Sequence, residues 1–513
     1  MKNYFIVMIF VSFLFCGCLF TEPQESRSTP RIPSGTTGTT EPAVPPIYYS
    51  QFGAKGDGKT DDFDAIKRTH DAANISGATV KGDAGKTYYI GATTQTISIQ
   101  TDTDWGNSKF IFDDTTIEKR GRAWAHSWIF TVESAQKPFP VYSVSALKKG
   151  QPKLPLNLGQ KLLFVAIDNT TRRYRRSGEN ENPGSFQTDV FIVDEDGVVD
   201  PNAPILWDFN NITSLTAYPI DEHQLKITGG RITTIASRGS DRDPYMYRGI
   251  YINRSNVLVD GFYHDIEGGE ELPITAYNGF LNFNTCANVT LQNSTLTGHL
   301  PMNGLGTYDL MVSHTVNFSA INCDQTNTIT GRYWGIFASG YSKNIVFDTV
   351  SFSRFDAHQG VHNVTILNSQ IGWQGLLAIG SGTLRVENTS VQSTRFIALR
   401  GDYGSTWEGD VYVKNCTHIG SGSVLDIEHR DTWDYGYPCY LPANIYIDGY
   451  TASATDGLMY FRLGATANPP YPYANLNEPK HAYIRNAILD TTSAVGRGYI
   501  IQNDALWDWP LED

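Results

Sequence analysis

Residues 48–66 read Tyr48-Tyr49-Ser50-Gln51-Phe52-Gly53-Ala54-Lys55-Gly56-Asp57-Gly58-Lys59-Thr60-Asp61-Asp62-Phe63-Asp64-Ala65-Ile66, and this stretch decides the fold. Gly53, Gly56 and Gly58 shape a tight loop, because glycine enters turn conformations that side chains exclude. Thr60 or Asp61 then offers a side-chain oxygen to the unpaired N–H groups of a helix start, and the helix is expected to run to about Ala73. Ala65, Ile66 and Ala72 give it an apolar stripe.

From about Leu225 onward a strand of the form Asn-Val-Thr-Ile recurs. It stands at Asn288-Val289-Thr290-Leu291, Asn344-Ile345-Val346-Phe347, Asn363-Val364-Thr365-Ile366 and Asn444-Ile445-Tyr446-Ile447. Starts at 344, 363, 383, 410, 444 and 481 are separated by 19, 20, 27, 34 and 37 residues. A coil of a parallel β-helix takes about twenty residues or slightly more, so the short steps are bare coils and the long ones carry loops. Alternation inside each strand stacks Val, Ile, Leu and Phe inward. The Asn-x-Ser/Thr sequences at Asn288, Asn293, Asn363, Asn388 and Asn415 fall in the turns, where stacked asparagines explain them better than glycosylation does.

The glycine loop and its helix resemble the N-terminal signature of the pectate lyase superfamily, which includes rhamnogalacturonase-like and epimerase-like enzymes and phage tailspikes. The resemblance is strong over residues 48–66 and consistent over the later repeats. It implies an all-β chain, a right-handed parallel β-helix solenoid whose open end the helix caps, with polysaccharide as the substrate class. Asp57, Asp61 and Asp62 look structural in this signature rather than catalytic.

The rest of the chain divides around the solenoid. Residues 1–18 read as an export signal, with Lys2 ahead of an apolar stretch over 4–15 that is short for a membrane span. It ends at Phe15-Cys16-Gly17-Cys18, which makes Cys18 the candidate lipidated residue; plain cleavage and a retained anchor are the alternatives. Residues 19–46 form a Thr/Pro-rich tether that cannot bury a core. Residues 47–137 hold the cap and first coils, 138–227 an inserted antiparallel β subdomain, and 228–513 the main solenoid. The insertion is marked by strand-like runs such as Leu162-Leu163-Phe164-Val165-Ala166-Ile167. It serves substrate binding, assembly or merely spacing. A net charge of −13 excludes nucleic acid as a partner, since phosphate binding needs clustered cations. The basic run Arg172, Arg173, Arg175 and Arg176 reads as a solvated loop. Cys286, Cys323, Cys416 and Cys439 show no zinc spacing and read as small core residues. No cofactor or metal is called for, with calcium left open, and the sequence does not fix an oligomeric state.

A second column of strands carries the chemistry. Its segments are Arg354-Phe355-Asp356-Ala357-His358, Leu376-Leu377-Ala378, Phe396-Ile397-Ala398-Leu399-Arg400-Gly401-Asp402, Leu425-Asp426-Ile427-Glu428-His429 and Met459-Tyr460-Phe461-Arg462. Alternation sends Asp356, His358, Arg400, Asp426, Glu428, Tyr460 and Arg462 outward. Adjacent parallel strands lie about 4.8 Å apart, so Arg400, Glu428 and Arg462 are expected as neighbours and His358 about 10 Å from Arg400. The loops 401–408, 430–441 and 464–480 leave at the same corner and should stack into an aromatic wall. That wall supplies the substrate-binding candidates Tyr403, Trp407, Trp433 and Tyr435, beside Asp402, His429, Asp431, Tyr460 and Arg462. The bland alternative is a solvated ion-pair ladder.

Two reactions fit this floor. Hydrolysis uses two carboxylates, and Asp426 with Glu428 on one strand lie about 7 Å apart, whereas Asp356 is about 14 Å from Asp426. Elimination needs a cation for a uronate carboxylate and a base for the adjacent proton, roles open to Arg400 or Arg462 and to His358. Glu428 is expected to hold the arginines, leaving Asp426 or a loop aspartate to donate a proton. The Gly-His-Gly and Arg-Ile-Lys landmarks of polygalacturonases are missing, as are the Trp-Ile-Asp-His and Arg-x-Pro-x-x-Arg landmarks of calcium-dependent pectate lyases. The resemblance therefore transfers fold and substrate class, not catalytic residues. The expectation is an exported enzyme acting on polysaccharide, with hydrolysis ahead of elimination and a non-catalytic adhesin as the third reading.

Overall fold

Asp62 stands at the N-cap position of the helix, which runs Phe63–Ser76 (α1) and stops at Gly77, a residue in the left-handed conformation. The cap is supplied by its neighbour: Phe63 N–H donates to Asp61 Oδ1 at 3.0 Å. The Asp62 carboxylate instead turns back and accepts from Lys55 and Gly56 N–H at 2.6 and 3.0 Å, closing the glycine loop. Phe63, Ala65, Ile66, His70 and Ala73 form the buried face of α1. They pack with Tyr49 and Trp105, whose indole N–H donates to the Tyr49 hydroxyl at 2.8 Å.

The computed structural model describes residues 44–117, 127–178, 181–237, 245–268, 275–300, 306–331, 333–420, 422–429, 435–453, 459–465, 476–477, 480–490 and 501–503. The side chains of 422, 427–429, 459–465, 476–477, 489–490 and 501–503 lie outside that description, as do the expected signal, tether and Cys18. Beyond α1 the architecture is a right-handed parallel β-helix. One lumen column runs Val257, Val289, Phe318, Ile345, Val364, Leu384, Val411 and Ile445, with neighbouring strands in parallel register. Each of these side chains is at most 2% exposed, and burying each adds about 1.5–3 kcal/mol. The strand starts expected at 383, 410, 444 and 481 stack in register.

Asparagine makes the corners. Asn288, Asn293, Asn363, Asn388 and Asn415 all take positive φ between 48° and 58°, the left-handed conformation that asparagine tolerates best after glycine. Their amides form ladders along the axis, with Asn317 donating to Asn288 at 2.8 Å, Asn344 to Asn317 at 2.9 Å and Asn363 to Asn344 at 3.0 Å. The sequons are corner asparagines, as expected. Cys286, Cys323, Cys416 and Cys439 are all buried.

The insertion is a four-stranded antiparallel sheet, ordered Ser185–Val193, Leu162–Arg173, Ser214–Pro219 and Phe139–Pro140. Its central run is apolar without alternation because both faces are covered. Leu162, Phe164, Ala166, Phe191 and Val193 face a core of its own. Leu163, Val165, Val190 and Ile192 pack on Ala287 and Val316 of the solenoid. A buried ion pair, Lys343 Nζ to Asp189 Oδ1 at 2.7 Å, ties the two together. The solenoid resumes with Leu225–Ile235.

Candidate active site

The outward face of the second column is covered, not solvated. Phe355 and Ala357 point into the lumen as alternation requires, and Asp356 between them points the other way yet is 0% exposed. Its carboxylate is the hub of a cluster. Oδ1 accepts from Arg400 Nη1 at 2.6 Å, and Oδ2 meets Arg354 Nη2 at 2.5 Å, His358 Nε2 at 2.9 Å and the Tyr308 hydroxyl at 3.0 Å. Arg400 also grips Asp402 with two hydrogen bonds, Nε to Oδ1 at 3.1 Å and Nη2 to Oδ2 at 2.8 Å. Asp402 in turn meets Arg176 Nε at 3.0 Å.

Four elements bring these groups together, with Arg400 and Asp402 standing at the end of the strand Arg395–Leu399 and in the turn Gly401–Tyr403 that follows it. Arg354, Asp356 and His358 sit two apart on one strand, so they share a face. Tyr308 comes from Tyr308–Ser313, two coils earlier. Gly335 lies between: a Cβ there would meet Arg354 at 3.2 Å. Arg176 comes from the insertion, whose tip crosses the solenoid face. Tyr174 presses its hydroxyl against Gly360, a position with room for no Cβ, and Ser177 N–H donates to Asp402 O at 2.8 Å. The basic run is thus a docked arm rather than a solvated loop. Arg172 stacks on Phe186 and Arg173 on Trp207, each guanidinium carbon about one ring thickness away at 4.1 and 4.2 Å.

Electrostatics sort the groups into roles. Burial would raise the Asp356 pKa, but Arg354, His358 and Arg400 overrule it and hold the carboxyl well below the usual range. Asp402 is likewise held low against burial, by Arg400 and then Arg176. Burial lowers His358, with Asp356 opposing, and so keeps it neutral near pH 7. Burial, reinforced by Asp356, raises Tyr308 and keeps its proton on. The ionised Asp356 can only accept, so His358 Nε2, 2.9 Å from Oδ2, carries its hydrogen toward it. Nδ1 is then the lone-pair nitrogen, and it makes no hydrogen bond among the described residues. Among the described residues, Arg176, Arg354 and Arg400 outnumber Asp356 and Asp402 by one charge. Arg176 and His358 are its most open members, each with 24% of the side chain exposed.

Of the residues expected from sequence, Asp356, His358, Arg400 and Asp402 meet here. Asp426 does not; it shares Asp356's row through Leu377 and Ala398, three coils on, and pairs with Arg395 Nε at 3.0 Å. Among the described side chains, the carboxylates on Arg400 are Asp356 and Asp402. Arg462 pairs in register with Asp426, and Glu428 with Gly464, because a bulge between Ser423 and Asp426 shifts the strand. The side chains of Glu428, His429, Tyr460 and Arg462, and the whole of Asp431 and Trp433, lie outside the described residues. The loop wall does stack, with Cys439–Tyr440 paired to Leu476–Asn477. Its rings, however, are not sugar platforms: Tyr403, Trp407 and Tyr435 are at most 3% exposed. Their polar ends are spent on the protein, Trp407 Nε1 on Gly382 O at 3.0 Å and the Tyr435 hydroxyl on Gly401 O at 3.0 Å. Arg354 and Tyr308 were missed, although Arg354 lies in step with Asp356, and Arg176 was singled out only as part of a basic run read as solvated.

No family model matches the chain. Among curated proteins, a capsule KL64-specific depolymerase of Klebsiella phage P510 is 26% identical over 131 residues. The match covers 23% of this chain and only 13% of that protein's length. Among solved structures, the tailspike protein gp49 of Pseudomonas phage LKA1 superposes with a TM-score of 0.52 at 12% identity, over 86% of this chain and 81% of that one. The gp54 tailspike of Acinetobacter baumannii bacteriophage AP22, solved with a capsular saccharide, gives 0.47 at 11% identity over 88% and 76%. The likeness to gp49 is a likeness of fold: both are parallel β-helices.

Proposed function

We propose that this protein is an exported enzyme that cleaves an acidic polysaccharide by β-elimination at the Asp356 cluster. The observation that carries this reading is a neutral His358, whose Nδ1 makes no hydrogen bond among the described residues and whose Nε2 stands 2.8 Å from the hydroxyl of the protonated Tyr308, in a cluster where three arginines face two described carboxylates. Arg176, the most open guanidinium, receives the uronate carboxylate and makes the adjacent proton more acidic. His358 takes that proton at Nδ1. The electron pair forms a carbon–carbon double bond as the glycosidic C–O bond breaks. The leaving oxygen takes the Tyr308 proton, and His358 Nε2–H restores it. Hydrolysis, ranked first from sequence, fits the described groups less well. Asp356 and Asp402 are both held ionised, so neither serves as the acid that hydrolysis requires. The matching phage protein is named a capsule depolymerase, which supports a polysaccharide substrate. Export through residues 1–18, with a lipid on Cys18 and a tether over 19–46, puts the solenoid at the cell surface.

Incubation with a panel of acidic and neutral polysaccharides tests the reading. New reducing ends accompanied by the ultraviolet absorbance of an unsaturated uronate are expected. Reducing ends without that absorbance would establish hydrolysis instead, and binding without new ends would establish an adhesin.

A further inference from the structure

Behind the site, on the lumen side of the same strand, lies a second polar cluster that the proposed reaction does not use. Tyr308 points outward to His358, and the next residue, Asp309, points inward and is 0% exposed. Asp309 Oδ1 stands 2.8 Å from His264 Nδ1 and 3.0 Å from His299 Nε2, and both imidazoles are also 0% exposed. One ligand atom from each of the three residues lies within 4.8 Å of the others.

Several buried carboxylates meet a lysine or arginine: Asp114 has Arg248 at 3.1 Å, Asp189 has Lys343 at 2.7 Å, and Asp356 has two arginines. Asp62 and Asp168 are satisfied by backbone N–H groups and threonine hydroxyls instead. Asp309 meets no lysine or arginine among the described residues; its partners are the two imidazoles and the Thr297 N–H at 2.9 Å. Only the two imidazoles face its charge. The outer groups of His264 and Asp309 are arranged as those of metal ligands usually are. His264 Nε2 is fixed by the Thr234 hydroxyl at 3.0 Å, its ring lies on Phe280 with centroids 3.6 Å apart, and Thr297 N–H orients the other Asp309 oxygen. His299 Nδ1 is buried with no hydrogen bond among the described residues, so the ring's only polar engagement is at Nε2.

We propose that His264, His299 and Asp309 form a binding site for one first-row divalent transition metal, with zinc the best match, inside the solenoid. Two imidazoles and one carboxylate are a borderline donor set that suits zinc over calcium or magnesium. Ligand atoms on a tetrahedral zinc lie about 3.3 Å apart, so the 2.8 and 3.0 Å contacts need to open by only a few tenths of an ångström. Holding the metal through Nδ1 leaves His264 Nε2–H to donate to the Thr234 hydroxyl. The ion enters while the chain folds, because the finished site is closed. The three residues sit in separate coils without a recognisable spacing, so no sequence pattern links them.

The test uses the full chain, refolded from denaturant once with zinc and once with a chelator, then gel-filtered. Elemental analysis should find about one equivalent of zinc retained after the first treatment, with a higher melting temperature than the chelated protein. Cobalt in place of zinc should give the visible absorption of a low-coordinate nitrogen–oxygen site. His299→Gln and Asp309→Asn should each retain less than about a tenth of the metal. Should a variant not fold, the wild-type measurements decide alone. Zinc near zero in the refolded wild type, or equal retention in both folded variants, would overturn the site and leave a hydrogen-bonded triad.

Discussion

At Asp356 a single carboxylate meets Arg354, Arg400, His358 and Tyr308 without touching solvent, so its neighbours can be separated by what each removal does. Asp356→Asn leaves two guanidinium groups buried beside a neutral amide. Stability should fall by about 3–5 kcal/mol in urea denaturation, and activity with it. His358→Asn and Tyr308→Phe touch the proposed proton path without stranding a charge. They should melt near the parent temperature while turnover falls by about 10²–10⁴-fold. The pH profile distinguishes a base from a merely placed ring. His358 must be neutral to accept a proton, and burial holds its pKa below the ordinary histidine value. The rate should therefore hold as pH falls through about 6.5 and drop only below it. A folded, fully active H358N protein would leave the cluster as an ion-pair network and nothing more.

At the scale of elements, two devices carry testable weight. Lys343 of the solenoid and Asp189 of the insertion are 1% and 2% exposed, and apart from Pro204 O and Leu206 N–H, which they also meet, apolar side chains pack around them. K343M strands a buried carboxylate and should cost about 3–5 kcal/mol, whereas the K343M/D189L double variant should recover most of it. Additive losses would mean that the pair does not couple. The corner asparagines are the other device. Asn363, at φ 58°, should lose about 1–2 kcal/mol more stability when changed to Ala than to Gly, because only Ala is strained in that conformation. These elements also show where sequence reasoning reached and where it stopped. Coil starts, corner asparagines and the outward set Asp356 and His358 were legible, because strands repeat with period two and coils with a near-constant length. Tyr308 and Arg176 were not, since no pattern links a residue to one two coils away or to an insertion's tip. The bulge before Asp426 displaced Arg462 from its expected row, which alternation cannot foresee. Tyr403 and Tyr435 looked like exposed platforms because a loop tyrosine reads the same whether its hydroxyl meets water or, as here for Tyr435, a backbone carbonyl.

Across the whole molecule, neutral histidines are built into the solenoid at several heights, and they set how it should respond to acid. His70 lies in the cap against Tyr49, His314 on the ring of Tyr341, and His362 against Ser381. Burial pushes their pKa values down to about 3, about 4 and about 3. An unfolded histidine titrates at about 6.5, so between there and the depressed values the unfolded chain takes up protons that the fold refuses. The sign is fixed: this stability is complete above pH 6.5 and is lost as pH falls. For fully buried His70 the slope approaches about 1.4 kcal/mol per pH unit, and the other two add in the same direction. Asp356 and Asp402, held low by their arginines, add a further loss only at lower pH. Thermal melts at constant ionic strength should thus be flat from pH 8 to 7 and fall steeply from about pH 6 toward 4. Replacing His70 with Gln keeps a polar group opposite the Tyr49 hydroxyl but cannot be protonated. H70Q should melt lower than the parent at pH 7 and lose less on acidification. A parent curve that stays level to pH 4, or an H70Q curve parallel to it, would show that these rings open to water before they charge.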